Sequence, residues 1–178
     1  MHGIDIQYYK SPVGELILGS FENMLCLCDW KYRRMRTTID KRIKTELDSD
    51  YREQSSPIIE SCKKQLEEYF GGKRRQFDIP LLLIGSDFQK SVWEELLNIP
   101  FGQCTSYLKL AEKLGNVKAI RAVASANGAN SFSIIIPCHR VIGSDGNLVG
   151  YAGGLPAKKK LLTLEGAPIM NQASLPFE

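Results

Sequence analysis

Nine residues three-quarters of the way along the chain constrain it more than any others: Ile134-Ile135-Ile136-Pro137-Cys138-His139-Arg140-Val141-Ile142. Three branched apolar side chains in succession predict a buried strand, and Pro137, with no N–H to give a ladder, ends it. A thiol, an imidazole and a guanidinium follow at once, before Val141-Ile142 turns the chain back to the interior. Reactive groups clamped between two apolar runs belong at the rim of a core, where rigid backbone gives a nucleophile a reproducible geometry.

A free cysteine titrates at about 8.5, so only a few per cent is thiolate at neutral pH. His139 can act as the base for Cys138 directly or through a water, and a carboxylate on the far imidazole nitrogen would orient the ring. Neighbours on an extended strand point to opposite sides, so a turn or a bridging water must connect the pair. Glu165, at the end of the last expected helix, is the candidate carboxylate. A buried structural thiol beside a satisfied histidine explains the same two residues, and on the pair alone it is the simpler account.

At 178 residues the chain can bury one large core or two small ones. No apolar run approaches the roughly 20 residues of a membrane span, and Met1-His2-Gly3-Ile4-Asp5 has no signal-peptide character. The expectation is a soluble intracellular protein, cytoplasmic, or nuclear in a eukaryote, with no membrane partner. Five scattered cysteines fit free thiols in a reducing compartment, and Leu25-Cys26-Leu27-Cys28 reads as strand. With only His2 and His139 available, no metal site is expected. Between Phe101 and Lys160 stand eight cations and two anions in a chain of net charge +3. A basic face for an anionic partner and chance clustering on a solvated surface account for this equally well.

Alternation over residues 4–10, 15–19 and 24–30, with turns at Ser11-Pro12-Val13-Gly14 and Phe21-Glu22-Asn23, predicts a three-stranded antiparallel meander. Residues 31–55 are charged and weakly periodic, and read as helix plus loop. Pro57 opens a helix whose apolar stripe (58, 59, 62, 66, 69 and 70) ends at Gly71-Gly72. Residues 1–80 therefore form a small α+β unit, and residues 79–85 a linker over the surface. Ser86 and Gln89 have capping-box spacing ahead of a helix carrying Phe88, Val92, Trp93, Leu96 and Leu97. Further helices are expected over residues 107–114, 117–126 and 157–164. Gly143–Asn147 makes a tight turn from which Leu148-Val149 pairs back, residues 150–154 form a flexible loop, and 168–178 a peripheral tail.

The helices over 107–114 and 117–126, joined at Gly115-Asn116, read as a helix-turn-helix, although an ordinary helical hairpin is the commoner object. The second carries Lys118 and Arg121 among small residues (Ala119, Ala122, Ala124, Ser125, Ala126), which would let it approach a groove closely while Arg121 reaches further.

Pro137-Cys138-His139-Arg140-Val141, with Asn130 before it and Gly150-Tyr151-Ala152-Gly153-Gly154 and Leu164-Glu165-Gly166 after it, resembles the 6-O-alkylguanine-DNA alkyltransferase family. The likeness extends back through Phe88-Gln89-Lys90-Ser91-Val92-Trp93, Ile99-Pro100-Phe101-Gly102 and Ser106-Tyr107, and so covers residues 86–167. It implies a ribonuclease-H-like N-terminal α+β domain (1–80). A mainly helical C-terminal domain (86–167) follows, with a helix-turn-helix and an active-site strand.

The resemblance further implies a monomer that binds double-stranded DNA through the minor groove. It would flip out a 6-O-alkylguanine, or a 4-O-alkylthymine, and move the alkyl group irreversibly to Cys138, once per molecule. Carried over by position, His139 is the base through a water, Glu165 orients it, and Tyr107 assists the leaving base. Arg121 fills the gap in the duplex, and Asn130 is the hinge between recognition helix and active-site strand. Backbone groups of Cys138, Val141 and Ala152 read the base and Tyr151 walls the pocket, while Lys118, Ala122, Ser125 and Arg140 join the DNA contacts. No metal or organic cofactor is implied. Ser131 stands where the family usually has proline. The other readings weighed are a lesion-binding protein that accepts no alkyl group, a Cys-His-Glu hydrolase and a methyl-responsive transcription factor. Cys138 argues against the first, the unexplained helix-turn-helix against the second, and the lack of an added zinc-binding module against the third.

Overall fold

The early alternation folds as expected. Strands β1 (Ile4–Ser11), β2 (Gly14–Phe21) and β3 (Met24–Trp30) form an antiparallel meander in a computed structural model that describes residues 2–169. The β2–β3 hairpin turns on Glu22 and Asn23, both at positive φ (45° and 64°), the handedness that suits the twist of paired strands. The weakly periodic stretch that follows holds helix α1 (Arg36–Glu46) and a short strand, β4 (Tyr51–Glu53). β4 pairs parallel to β1, giving the order β3-β2-β1-β4, so the expected antiparallel sheet is mixed at one edge. Helix α2 (Pro57–Phe70) starts where Ser56 Oγ accepts the Ile59 amide (3.2 Å) with Pro57 at the first helical position, and buries Ile59, Cys62, Leu66 and Tyr69.

The stretch expected as a surface linker is instead stitched to the sheet. The Leu25 amide donates to Pro80 O and the Leu82 amide to Leu25 O, both at 2.8 Å, and Ile84 is buried. Five apolar residues in six (79–84) made that outcome the cheaper one, since β3 is an edge strand with unpaired amides and carbonyls. Helix α3 (Asp87–Leu96) opens with the anticipated capping box: Gln89 N donates to Ser86 Oγ (3.1 Å) and Ser86 N to Gln89 Oε1 (3.0 Å).

The two helices read from the sequence as a helix-turn-helix are α4 (Tyr107–Lys113) and α5 (Ile120–Gly128). Residues 117–119 are a 3-10 turn rather than the start of α5, and α5 runs through Gly128 instead of stopping before it. Strands β5 (Thr105–Ser106) and β6 (Val141–Ile142) make a two-residue parallel ladder, and α6 (Leu155–Leu164) closes the chain. The tail assigned to 168–178 lies almost wholly outside the described residues. The principal core runs through both halves, from Leu16, Cys28 and Tyr69 to Trp93, Phe132 and Leu161. No helix among the described residues is long and apolar enough to cross a membrane.

Two local expectations fail near the thiol. Ile134-Ile135-Ile136 is not a strand: the chain turns there, Ile136 N bonding to Phe132 O (2.8 Å), with Ile134 in the left-handed region at φ 73°. A β-branched residue reaches that region only under strain of about 1–3 kcal/mol. Burial of all three isoleucines holds it there, so hydrophobicity was read correctly and its geometry was not. Leu148-Val149 also forms no ladder, although the Gly143–Asn147 turn closes (2.9 Å).

Candidate active site

Cys138 opens a 3-10 turn, Cys138–Arg140, directly after Pro137. The turn supplies what an extended strand could not: Cys138 borders a cavity while the next two side chains, His139 and Arg140, both reach Glu165. The Cys138 side chain is 4% exposed and borders a cavity of about 600 Å³. Tyr107, Arg121, Asn130, Tyr151 and Ala152 border the same cavity. Burial pushes the Cys138 thiol above its ordinary value, and the Asn130 amide pulls the other way. It therefore needs a base.

A candidate base is the next residue. His139 is fully buried and its Nε2 lies 2.7 Å from Glu165 Oε1. Burial lowers its pKa in spite of the carboxylate, which keeps the ring neutral at pH 7. With the Nε2 hydrogen given to Glu165, Nδ1 is left as the acceptor. It is buried without a hydrogen-bond partner among the described residues.

Glu165 is the most heavily bonded side chain in the site. Its Oε1 accepts from His139, from the Tyr69 hydroxyl (2.7 Å) and from Arg140 Nη2 (2.9 Å). Its Oε2 accepts from Arg140 Nε (2.8 Å) and the Gly102 amide (3.4 Å). Burial alone would raise this carboxyl, but the bonds from His139 and Arg140 outweigh it and hold the group well below the usual carboxylate range. Arg140, expected to touch DNA, is thus committed elsewhere: it is 7% exposed, fork-bonded to Glu165, and its Nη1 donates to Ile99 O (2.7 Å). A guanidinium next to a buried carboxylate that must stay ionised goes to that carboxylate first.

Asn130, just past the end of α5, is bonded to the thiol segment. Its Nδ2 donates to Ile136 O (3.0 Å) and its Oδ1 accepts the Phe132 amide (2.9 Å), bracing the strained turn from inside. Ser131 is buried, and its carbonyl accepts the Cys28 amide (2.9 Å), so the segment is also bonded to β3. Tyr107 stands at the start of α4, capped by Ser106, and burial pushes its phenol up to about 12. Val141 sits behind the thiol: its N–H returns to Cys138 O, and its carbonyl accepts Lys158 Nζ (2.6 Å) while keeping a second lone pair. Arg121, Lys118, Ala122 and Ser125 are exposed around α5, and of these Arg121 alone borders the cavity.

Several contributors escaped sequence reasoning. Tyr69 counted there only as part of an apolar stripe. Arg33, Arg34 and Met35, from the stretch with no clear period, border the cavity, as does Asn127. Arg33 is buried and donates to the carbonyls of Gly128 and of Asn130 (3.1 Å) while pairing with Asp29 (3.0 Å). Arg42 donates to Ala129 O (3.1 Å). Two guanidinium groups from the N-terminal half thereby cap the C-terminal carbonyls of α5, where cations complement the helix dipole. Lys158 is wholly buried and grips the carbonyls of Val141, Val149 and Gly150 (2.6–3.2 Å), with its pKa lowered by burial to about 8. The only available signal was a lysine at a core-facing position of α6.

The neutral histidine makes stability pH-dependent. An unfolded imidazole takes its proton near 6.5, and the folded His139 only at lower pH. Within that window the unfolded state holds more protons, so stability falls as pH drops below about 6.5. A melting-temperature series from pH 7.5 to 5.5 should decline, and His139→Gln should flatten it; an equal decline in both would assign the loss to other groups.

Known proteins are similar to this chain in sequence and in fold. The profile of the 6-O-methylguanine DNA methyltransferase DNA-binding domain matches residues 87–167, and that of the same family's ribonuclease-like domain matches residues 5–83. A methylated-DNA–protein-cysteine methyltransferase of Methanosarcina barkeri is 45% identical over 156 residues, covering 88% of this chain and 93% of that protein. The protein of that name from Mycobacterium leprae is 39% identical, covering 93% and 94%. The crystal structure of Mycobacterium tuberculosis OGT in complex with DNA superposes with a TM-score of 0.78 at 37% identity, covering 92% of this chain and 95% of that one. With profiles matched in both halves and identity spread over nearly the whole length, this chain belongs to the 6-O-methylguanine DNA methyltransferase family.

Proposed function

We propose that the protein repairs DNA by direct reversal, taking an alkyl group from 6-O-alkylguanine, or 4-O-alkylthymine, onto Cys138. One observation carries the reading: a buried thiol facing a cavity of about 600 Å³, next to a neutral histidine backed by an ionised, four-partner carboxylate. The target carbon lies on a base edge inside the duplex, so the base must leave the stack to reach a thiol set this deep. His139 Nδ1 takes the thiol proton through a water. The thiolate attacks the alkyl carbon in line; a C–S bond forms, the C–O bond breaks, and its electron pair passes to the base. Tyr107 gives the leaving base a proton or hydrogen bond. The thioether has no good leaving group, so each molecule acts once.

DNA is bound by α4 and α5, the latter entering the minor groove with Ala122 and Ser125 against the backbone and Lys118 near a phosphate. Arg121, free of ion pairs among the described residues and placed at the cavity edge, fills the position of the flipped base. Tyr151 walls the pocket and the backbone of Ala152 reads the base. The protein works as a monomer, with residues 1–80 supporting the 86–167 unit that does the chemistry.

Intact mass after incubation with a duplex containing 6-O-methylguanine tests this. The expected result is a gain of one methyl group per chain, mapped to Cys138 and lost in Cys138→Ala. Tight lesion binding without a mass gain would replace the transferase with a lesion-binding protein.

A further inference from the structure

Trp30 ends β3, in the half of the chain that carries no residue of the proposed chemistry, yet its indole packs on Tyr151, which borders the Cys138 cavity. It is 4% exposed and packs edge-on against Tyr151, with ring centroids 5.9 Å apart at 78°. The Tyr151 ring stands edge-on to His139 in turn (6.5 Å, 69°). Two glycines make room for the indole. A Cβ added at Gly153 would fall 2.5 Å from Trp30 Cε2 and 2.8 Å from Nε1, and one at Gly14 would fall 3.0 Å from Cζ3. The ring is therefore wedged between the β1–β2 turn and the loop that holds Tyr151 and Ala152.

The polar atoms here are as telling as the packing. Trp30 Nε1, the Tyr151 hydroxyl and His139 Nδ1 are all buried and make no well-formed hydrogen bond among the described residues, although the indole N–H lies near enough to the phenol oxygen to favour its ionised form. Buried polar groups are seldom left so, and these three sit on successively packed rings. Their chemistry is complementary: the indole only donates, the phenol donates and accepts, and Nδ1 of a neutral histidine bonded through Nε2 accepts. A water needs two to four such partners to be held.

Resting on the transfer reaction proposed above, we infer that Trp30 is a positioning residue. Its ring sets the Tyr151–Gly154 loop against the pocket, and its N–H, with the Tyr151 hydroxyl, fixes the water through which His139 Nδ1 takes the Cys138 proton. The N-terminal half then has a part in the reaction beyond supporting the fold.

Single-turnover methyl transfer against pH, with lesion affinity and melting temperature measured in parallel, separates this from packing. Trp30→Phe keeps a ring and loses the N–H. It should slow transfer by about 10- to 100-fold, the scale on which small misplacements act, and shift the midpoint of the pH–rate curve, with affinity unchanged within about twofold. Gly153→Ala, which leaves Trp30 in place, should slow transfer comparably. Trp30→Phe with Gly153→Ala should be no slower than Trp30→Phe alone, because the smaller ring leaves room for the new methyl and the N–H is already lost. If the parent chain gains no methyl group, the proposed function falls and this inference with it. If the parent reacts and both single variants match its rate and pH curve, Trp30 is packing alone and only this inference falls.

Discussion

Replacing Glu165 by glutamine should cost about 3–5 kcal/mol of stability, because it strands the Arg140 guanidinium in the core without its counter-charge. For a chain of this size that is a fall in melting temperature of roughly 10 °C. The same change should slow methyl transfer by about 10²–10⁴-fold, the range over which a positioned base and its orienting carboxylate act. Lesion affinity should stay near that of the parent, because Glu165 does not border the cavity. Single-turnover kinetics and a binding titration on the same preparation decide it. A parallel loss of rate and affinity would remove Glu165 from the chemistry and leave it a structural role. Replacing Glu165 and Arg140 together with glutamine and methionine should restore part of the stability but none of the rate. The buried charge would be gone, but so would the ionised carboxylate that orients His139.

Arg33→Met tests the other buried ion pair. Arg33 shares Asp29 with Arg36, so the carboxylate keeps one partner, and Ser133 Oγ still donates to it (2.9 Å). What is lost is the guanidinium bridge to the last carbonyls of α5, and a loss of about 2–4 kcal/mol is expected. Because the bridge holds the end of the helix proposed to enter DNA, lesion affinity should weaken more than the rate of transfer from saturated complex. Denaturant unfolding gives the first quantity, and a comparison of saturated and subsaturated turnover the second. An unchanged affinity alongside the stability loss would show that the N-terminal half holds the helix without tuning it.

The three side chains bonded to Glu165 show how far sequence reading reached. The sequence pairs His139 with Glu165 through the place of the glutamate at the end of the last helix and through the family resemblance. Tyr69 was invisible as a partner because a helical stripe reports which residues are buried, not which hydroxyl meets which carboxylate 96 positions away. Arg140 was misplaced for the same reason: a cation in a basic half suggests phosphate until its buried partner is seen. The capping box at Ser86 and the helix start at Pro57 were legible because cap and first turn are adjacent in sequence. β4 was not, since three charged or half-exposed residues carry no alternation and are strand only because β1 offers them an edge. The Ile134 turn is the sharpest case. Local preference favours a strand there, and the Asn130 bonds with burial on all sides override it.

The bonding of the Cys138 segment to β3 also sets an order in time. A chain leaves the ribosome from its N-terminus, so β1 to α2 are available as a template well before residue 138 emerges. The Cys28 amide, the Tyr69 hydroxyl and the Trp30 ring are then in place to receive the segment as it arrives. Until it docks, the thiol is an ordinary exposed cysteine with no base and no pocket. For a reagent that can be spent only once, this couples competence to completion: the molecule becomes able to act on DNA at the moment it has finished folding, and not before.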